Sequence, residues 1–255
     1  MDFSQQLEQR YSRNILLEGV GREGQRKISG SRVLVVGSGG LGSAALLYLA
    51  AAGVGTLGVV DGDSVELSNL QRQVIHFTDD LGRPKTQSAK EKIHRLNPHV
   101  RIHAFHEFLD QGNMESRIRD YDFIIDGTDN FTSKFLINDT CVALGKPFCH
   151  TGVTGFAGQM MTVVPGSACL RCVLPEPPPP DISPGSSRIG VLGALAGMFG
   201  SLQAAEAIKY IVGKGALLTD RLLLCDVSEM IFREVKIRKR PQCHACGKGG
   251  RPKLF

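Results

Sequence analysis

The sequence has no apolar run long enough for a membrane-spanning helix and no apolar leader. Such a helix needs about 18 to 20 apolar residues, and the first segment, Met1–Gln6, is polar. The nearest approach, Ile189–Ile211, is rich in glycine and alanine but includes Gln203, Glu206 and Lys209, and we interpret it as a pair of buried helices. We therefore expect a cytoplasmic protein with no membrane partner.

Dense blocks of like charge are also missing, although the formal net charge is +5. The nearest to a block is the alternating run Lys236–Arg240. We interpret it as the solvated face of a strand, and the alternative is a docking patch for an acidic partner. We expect no nucleic-acid partner. No internal repeat is found, and 255 residues suffice for one large α/β domain or for one domain with an appendage.

Seven cysteines in a chain without an export signal indicate a reducing compartment, and hence metal or thiol chemistry. Four of them form two Cys-x-x-Cys pairs: Cys169 with Cys172, and Cys243 with Cys246. Thiolates at that spacing occupy neighbouring corners of a tetrahedron, so the two pairs predict a structural zinc site. The alternatives are unrelated exposed pairs or a redox dithiol, but a redox pair usually begins a helix and neither pair does so clearly. The other three lie in apolar segments and are predicted to be core residues: Cys141, Cys149 and Cys225.

A strand, a tight turn and a helix are predicted where the apolar run Val33–Val36 meets a glycine cluster. Four glycines form that cluster: Gly37, Gly39, Gly40 and Gly42. Glycines let the backbone approach a phosphate closely, and the amides at the start of the helix point at it. The next strand ends at Asp61, whose carboxylate is placed to accept hydrogen bonds from ribose hydroxyls. These residues predict a nucleotide site.

Alternating strands and helices continue through the first half of the chain. Residues 5–28 are predicted to be helical. Beyond the glycine turn, this half is predicted to contain a helix over Lys85–Leu96 and strands over Arg101–Phe105 and Tyr121–Asp126. Ligands of parallel sheets bind beyond the carboxyl ends of the strands, so the glycine turn, Asp61 and Asp129 should face one crevice. The polar loop over residues 61–82 is long enough to suggest a functional role.

The second half of the chain does not continue the regular alternation of strands and helices. We predict a strand over Gln159–Val164, an extended proline-rich crossover over Pro175–Asp181, helices from about Gly190 to Gly213, and strands over Arg221–Cys225 and Phe232–Arg238.

Cations near the glycine turn favour phosphoryl or nucleotidyl transfer over hydride transfer. Arg72 lies in the long loop, Lys85 begins the next helix, and Asp129 can hold a metal ion at the far lip. Such transfers need anionic oxygens to be neutralised while an anionic nucleophile approaches. Each residue also has a simpler explanation, as a surface charge, a helix cap or a turn residue. The grouping of all of them in one crevice is what favours the functional interpretation.

Motifs along nearly the whole chain resemble those of the ThiF/MoeB/HesA family, bacterial relatives of the ubiquitin-activating enzymes. The motifs are these: Arg10–Leu16, Gly37–Gly42, Asp61–Asp63, Ser68–Gln73, Lys85, Asp126–Asn130, both cysteine pairs and Gly200–Ala207. The resemblance implies a Rossmann-like, mostly parallel sheet with helices on both faces. The sheet is extended by C-terminal strands and followed by a zinc-pinned tail.

The resemblance implies ATP-dependent adenylation of the C-terminal glycine of a small ubiquitin-like sulfur carrier ending in Gly-Gly. It gives catalytic roles to Arg13, Arg72, Lys85 and Asp129. It places ATP and Mg²⁺ against a wider set: Gly37, Gly39, Gly40, Gly42, Asp61, Asp63, Ser68, Asn69, Gln71 and Asn130. It implies that the four paired cysteines bind Zn²⁺. It also implies a homodimer in which Arg13 reaches into the partner's site, and a rhodanese or cysteine desulfurase as sulfur donor.

One departure from the family pattern concerns covalent chemistry. Several family members have a cysteine in the crossover loop, whereas residues 175–190 here contain none. We therefore expect adenylation without a covalent carrier intermediate on this loop.

We expect four segments: an N-terminal helical segment (1–30), a Rossmann-like ATP-binding half (31–150), a carrier-binding and zinc half of the same domain (151–247), and a flexible tail (248–255). The alternative functions are a nicotinamide-dependent oxidoreductase and a catalytically inactive partner subunit of the family.

Overall fold

The computed structural model describes residues 5–179 and 189–247. Within those ranges the helices are α1 (Gln5–Arg10), α2 (Ser12–Ile15), α3 (Gly21–Gly30), α4 (Gly40–Ala52), α5 (Lys85–Leu96), α6 (Met114–Ile118), α7 (Phe131–Leu144), α8 (Leu170–Val173) and α9 (Gly193–Val212). The strands are β1 (Arg32–Val36), β2 (Thr56–Val60), β3 (Arg101–Phe105), β4 (Phe123–Asp126), β5 (Phe148–Thr154), β6 (Ala157–Val163), β7 (Arg221–Asp226) and β8 (Ile231–Lys236).

All eight strands form one sheet in the order β3-β2-β1-β4-β5-β6-β7-β8. The strands from β3 to β5 in that order are parallel, and β6, β7 and β8 extend the sheet as antiparallel neighbours. Val36 at the end of β1 pairs with Val60 on one side and with Asp126 on the other. The carboxyl ends of the three central strands therefore lie side by side. This confirms the predicted α/β sheet with C-terminal strands.

Two apolar clusters cover the two faces of the sheet. Val33 and Val35 point to one face and pack with α4, α5 and α9, whereas Leu34 and Val36 point to the other and pack with α6 and α7. This follows from the alternation of side chains along a strand, because a parallel sheet buried on both faces needs apolar residues at every position. The three unpaired cysteines of the sequence are buried, as predicted: Cys141, Cys149 and Cys225.

Several elements differ from the sequence-based expectations. The N-terminal segment breaks into three helices, with positive φ at Gly19, between α2 and α3, and at Gly21, the first residue of α3. Where a pair of helices was predicted over Ile189–Ile211, the described residues from 190 onward form one 20-residue helix, α9, whose glycines lie within an uninterrupted α-helix. Strand β5 was not predicted, and β4 begins at Phe123 and not at Tyr121.

Strand β8 forms an exposed edge of the sheet, because all six of its residues are exposed and it pairs only with β7 among the described strands. Only Lys236 of the basic run lies in β8, and residues 237–240 follow it without helix or strand, so the interpretation of the run as a strand face was wrong. The proline-rich crossover contains neither helix nor strand over residues 175–179. The rest of the crossover loop up to residue 188 and the predicted tail at 248–255 lie outside the described residues. No helix in the described part of the chain is both long and apolar enough to cross a membrane.

Candidate active site

A cleft of about 850 Å³ opens beyond the carboxyl ends of the central strands. It is lined by Val36 at the end of β1, Val60 at the end of β2 and Gly127 just after β4. The chain leaves β1 toward β2 on one side while β4 lies on the other, and open α/β sheets form their ligand crevice at such a reversal. The volume suffices for a nucleotide and part of a second reactant.

The glycine turn is packed too tightly for side chains. Gly37 has a φ of +90°, and a Cβ there would stand 2.8 Å from the carbonyl oxygen of Gly127. A Cβ on Gly42 would stand 1.9 Å from the carbonyl oxygen of Gly37. Helix α4 then begins at Gly40 without a side-chain cap, so its first N–H groups are left for an anion in the cleft.

Asp61 is fixed in place by the turn beside it. Its Oδ2 accepts hydrogen bonds from the backbone nitrogen of Ser38 at 2.8 Å and from the Ser38 hydroxyl at 3.0 Å. Its Oδ1 accepts from the backbone nitrogen of Asp63 at 2.9 Å. Since a carboxylate has about four acceptor positions, Asp61 retains capacity for a ribose hydroxyl.

Two cations line the same cleft. Lys85 is buried at the start of α5, and its Nζ lies 2.7 Å from Oδ2 of Asp63. Arg72 donates from one guanidinium nitrogen to the carbonyl oxygen of Ser68 at 3.0 Å. These partners fix the orientation of both side chains, and both side chains line the open cleft.

Asp129 and Asn130 follow β4 at the far lip of the cleft. Asn130 caps helix α7, because its Oδ1 accepts from the backbone nitrogen of Ser133 at 2.8 Å. Asp129 is exposed and makes no hydrogen bond or ion pair with the described residues. The capping role that would explain Asp129 without a ligand thus belongs to its neighbour.

Five residues implied by the resemblance do not line the cleft: Arg13, Gly42, Ser68, Asn69 and Gln71. Asn69 is buried and caps a short 3₁₀ turn by accepting from the backbone nitrogen of Glu66 at 3.2 Å. Gln71 packs against the start of α9, where a Cβ on Gly193 would stand 2.4 Å from its carbonyl oxygen. Arg13 is exposed on α2. The other nine are brought together as expected: Gly37, Gly39, Gly40, Asp61, Asp63, Arg72, Lys85, Asp129 and Asn130.

The four paired cysteines converge on one point. Their sulfur atoms all lie within 4.8 Å of one another, with Cys169 and Cys243 at 3.7 Å and Cys172 and Cys246 at 3.4 Å. A tetrahedral zinc ion with Zn–S bonds of about 2.3 Å holds its sulfurs about 3.8 Å apart, so the cluster fits that ion. Contrary to the sequence-based expectation, Cys169 does begin a helix, as the N-cap of the four-residue α8. The convergence of both pairs nevertheless disfavours an isolated redox dithiol.

Comparison with known proteins decides the family. The family model described as the ThiF family matches residues 11–245. The chain belongs to the ThiF family. It is 46% identical over 241 residues to the SAMP-activating enzyme E1 of Haloferax volcanii, a match that covers 94% of this chain and 89% of the relative. It is 43% identical over 244 residues to the sulfur carrier protein adenylyltransferase of Thermus thermophilus, covering 93% and 90%.

A solved structure supports the same fold. The E. coli protein MccB, crystallised with AMPCPP and MccA, has a TM-score of 0.82 and 25% identity, covering 93% of this chain and 74% of that one. The two ThiF-family relatives are named as an activating enzyme and an adenylyltransferase, which favours an ATP-using enzyme over a nicotinamide-dependent oxidoreductase.

A buried charged cluster at the back of the ThiF-family cleft was not found from the sequence. Asp126 is fully enclosed; it accepts from Lys134 Nζ at 3.1 Å and from His150 Nδ1 at 2.9 Å. Burial alone would raise the pKa of Asp126, but Lys134 and His150 outweigh it and hold that pKa at about 2. Burial lowers the pKa of His150. The feature of the sequence that could have indicated this cluster is Asp126, a charged residue at the end of the otherwise apolar strand β4.

Proposed function

We propose that this ThiF-family chain catalyses ATP-dependent adenylation of the C-terminal glycine carboxylate of a small ubiquitin-like sulfur carrier ending in Gly-Gly. The observation that supports this most is the composition of the cleft. A glycine turn at a helix start, the cations Arg72 and Lys85, and the unpartnered carboxylate of Asp129 all line one crevice. The names of the two relatives agree with this chemistry.

The reaction brings two anions together. A carboxylate oxygen of the carrier forms a bond to the α-phosphorus of ATP while the bond to the bridging oxygen breaks, and pyrophosphate leaves with that electron pair. No strong base is required, because a terminal carboxylate is already ionised at neutral pH. Arg72 and Lys85 would lower the repulsion during approach and stabilise the charge on the departing pyrophosphate.

The metal ions in this proposal have separate sites. Asp129 would hold Mg²⁺ at the lip of the cleft, where the ion would neutralise phosphate charge. Zn²⁺ would be held by Cys169, Cys172, Cys243 and Cys246, far enough from the cleft that none of these cysteines lines it. The role of zinc would thus be structural.

The cleft continues over the antiparallel end of the sheet, where the tail of a carrier would lie. It is lined there by Gly152 and Val153 of β5, Gly158 and Gln159 of β6, and Asp226 of β7. Gly152 has no side chain, and a Cβ there would meet only Gln159 at 3.5 Å, which suits an extended Gly-Gly segment lying close to the strands. We assign this part of the cleft to the carrier's last residues.

Assembly and sulfur delivery complete the proposal. Arg13 is exposed on α2 and outside the cleft, so it would act in the site of a second copy in a homodimer. A rhodanese or a cysteine desulfurase would supply sulfur to the acyl-adenylate. No covalent carrier intermediate forms on the crossover, since residues 175–190 contain no cysteine.

The test is pyrophosphate exchange into ATP with a purified carrier ending in Gly-Gly. We expect exchange with the complete carrier and none with a carrier that lacks its last glycine. Asp129→Ala should abolish exchange without unfolding the protein, whereas Asp79→Ala, a matched change at an exposed aspartate outside the cleft, should retain it.

Two outcomes would contradict the proposal. One is a folded, zinc-loaded protein that shows no exchange with any cognate carrier, as an inactive partner subunit would behave. The other is saturable binding of NADH or NADPH with little binding of ATP, which would favour the oxidoreductase alternative.

A further inference from the structure

A glutamine in the long loop lies over the glycine turn without a partner. Gln73 is only 3% exposed, yet its side-chain amide makes no hydrogen bond with the described residues. A Cβ added to Gly39 would stand 3.7 Å from Nε2 of Gln73, so the amide nitrogen sits just above the turn. A buried polar group without a hydrogen bond lowers the stability of the folded protein, so its presence in the cleft requires an explanation.

The two amide atoms of Gln73 are not equivalent. Oε1 is fully enclosed by the protein, whereas Nε2, which also lacks a partner, is not enclosed in this way. Because Gln73 is among the residues that line the cleft, the amide nitrogen is the atom open to it. A primary amide nitrogen only donates hydrogen bonds, so it calls for an acceptor in the cleft.

The surroundings specify the chemistry of that acceptor. Helix α4 begins at Gly40, the residue after Gly39, and an uncapped helix start favours an anion. The side chain of Arg72 also lies close to the glycine turn, since a Cβ on Gly40 would stand 3.5 Å from Cγ of Arg72. Hydrogen-bond donors and a cation that line the same part of the cleft match a phosphate oxygen.

The backbone of the loop holds Gln73 in this position. Its nitrogen donates to the carbonyl oxygen of Asn69 at 3.0 Å, and its carbonyl oxygen accepts from the nitrogen of His76 at 3.0 Å. His76 in turn is buried, and its Nε2 lies 3.0 Å from the carbonyl oxygen of Ser38 in the glycine turn. The loop and the turn are therefore joined, and the amide is placed before any nucleotide arrives.

We infer that Gln73 is a phosphate-binding residue of this cleft, donating a hydrogen bond from Nε2 to a non-bridging oxygen of the bound nucleotide. The inference rests on the proposed use of ATP, and it adds a residue that the sequence motifs did not single out for binding. Gln73 and the N–H groups at the start of α4 would donate to the same phosphate group.

Calorimetric binding of ATP, AMP and adenosine to matched variants of the full chain tests the inference. Gln73→Glu keeps the shape and replaces the donor by an anion, and Gln73→Leu removes the donor without adding charge. A hydrogen bond to a charged group predicts roughly ten- to a hundredfold weaker binding of ATP and AMP. Adenosine, which has no phosphate, should bind both variants as it binds the wild type. Gln87→Glu, the same change at an exposed position on α5, should bind all three like the wild type.

The outcomes separate this inference from the proposed function. Wild-type affinity for ATP in both variants of Gln73, with unchanged melting temperatures, would overturn the inference alone. Equal losses for adenosine and ATP would also overturn it, because they would indicate a packing or base-binding role. A wild-type protein that binds no ATP would instead contradict the proposed function itself.

Discussion

Asp126 owes its negative charge in the folded protein to two neighbours. Its pKa is held at about 2, against an ordinary value of 3.8, because Lys134 and His150 offset its burial. Between these values the unfolded chain binds more protons than the folded one, so acid favours unfolding. We expect the free energy of unfolding to be fully retained above about pH 4 and to fall by about 2–3 kcal/mol toward pH 2 from this group.

Asp126→Asn tests that account. It leaves the ammonium of Lys134 buried without its counter-charge, which should cost about 3–5 kcal/mol at pH 7. It should also remove this part of the pH dependence, as measured by urea unfolding from pH 2 to 7. Asp79→Asn, an exposed aspartate, serves as control and should change neither quantity. An Asp126→Asn protein with wild-type acid sensitivity would show that other carboxylates dominate.

At the residue scale, the sequence located side chains that follow strand ends and missed those that act through burial. Asp61 and Asp129 were found because the carboxyl ends of parallel strands share one edge. The pairing of Asp126 with His150 was not, because it joins β4 to a strand that the sequence did not predict. Gln73 was named only as the last residue of the motif Ser68–Gln73, since nothing local shows that its amide lacks a partner.

At the scale of elements, the joint between β1 and α4 depends on the absence of a side chain at Gly42. A Cβ there would stand 1.9 Å from the carbonyl oxygen of Gly37, and backbone cannot move aside cheaply. We expect Gly42→Ala to destabilise the protein and to weaken nucleotide binding, as measured by thermal unfolding with and without ATP.

Gly197 in α9 provides the opposite case for the same substitution. A Cβ there meets nothing within 4 Å among the described residues. Gly197→Ala should therefore stabilise the protein by about 0.5–1 kcal/mol, because alanine is the better helix former. If Gly42→Ala were as stable as Gly197→Ala, the close packing of the turn would not matter for folding.

Elements with strong local signals were predicted well, and those set by long-range contacts were not. The run from Val33 to Gly42 has both an apolar strand pattern and a glycine turn, and β1 and α4 lie where expected. Strand β5 begins at the apolar Phe148 and continues through polar residues, and its pairing with β6 determines it. The glycines in the predicted helix pair are accommodated in α9, which packs against α4.

At the scale of the molecule, the cysteine cluster joins residues that are 74 positions apart. We expect purified protein to contain about one zinc ion per chain. Cys172→Ser should release zinc and lower the melting temperature, because the C-terminal segment then loses its attachment to the middle of the chain. Metal content is measured alongside thermal unfolding.

Cys141→Ser is the matched control. Cys141 is buried but lies outside the four-sulfur cluster, so this variant should keep its zinc even if it is less stable. A wild-type protein free of metal and fully stable would contradict the assignment.

The fold class and the family were both predicted from sequence and are confirmed, since the motifs span nearly the whole chain in one order. The oligomeric state could not be predicted from the residues of one chain in the same way. The role proposed for Arg13 requires a second copy of the chain, and one chain's sequence contains no geometry of its partner.

A structure of the protein with a non-hydrolysable ATP analogue and Mg²⁺ tests the central claim most directly. The account predicts the phosphates over the glycine turn, in contact with Arg72 and Lys85, with the metal ion at Asp129. A triphosphate bound away from these three side chains would contradict it.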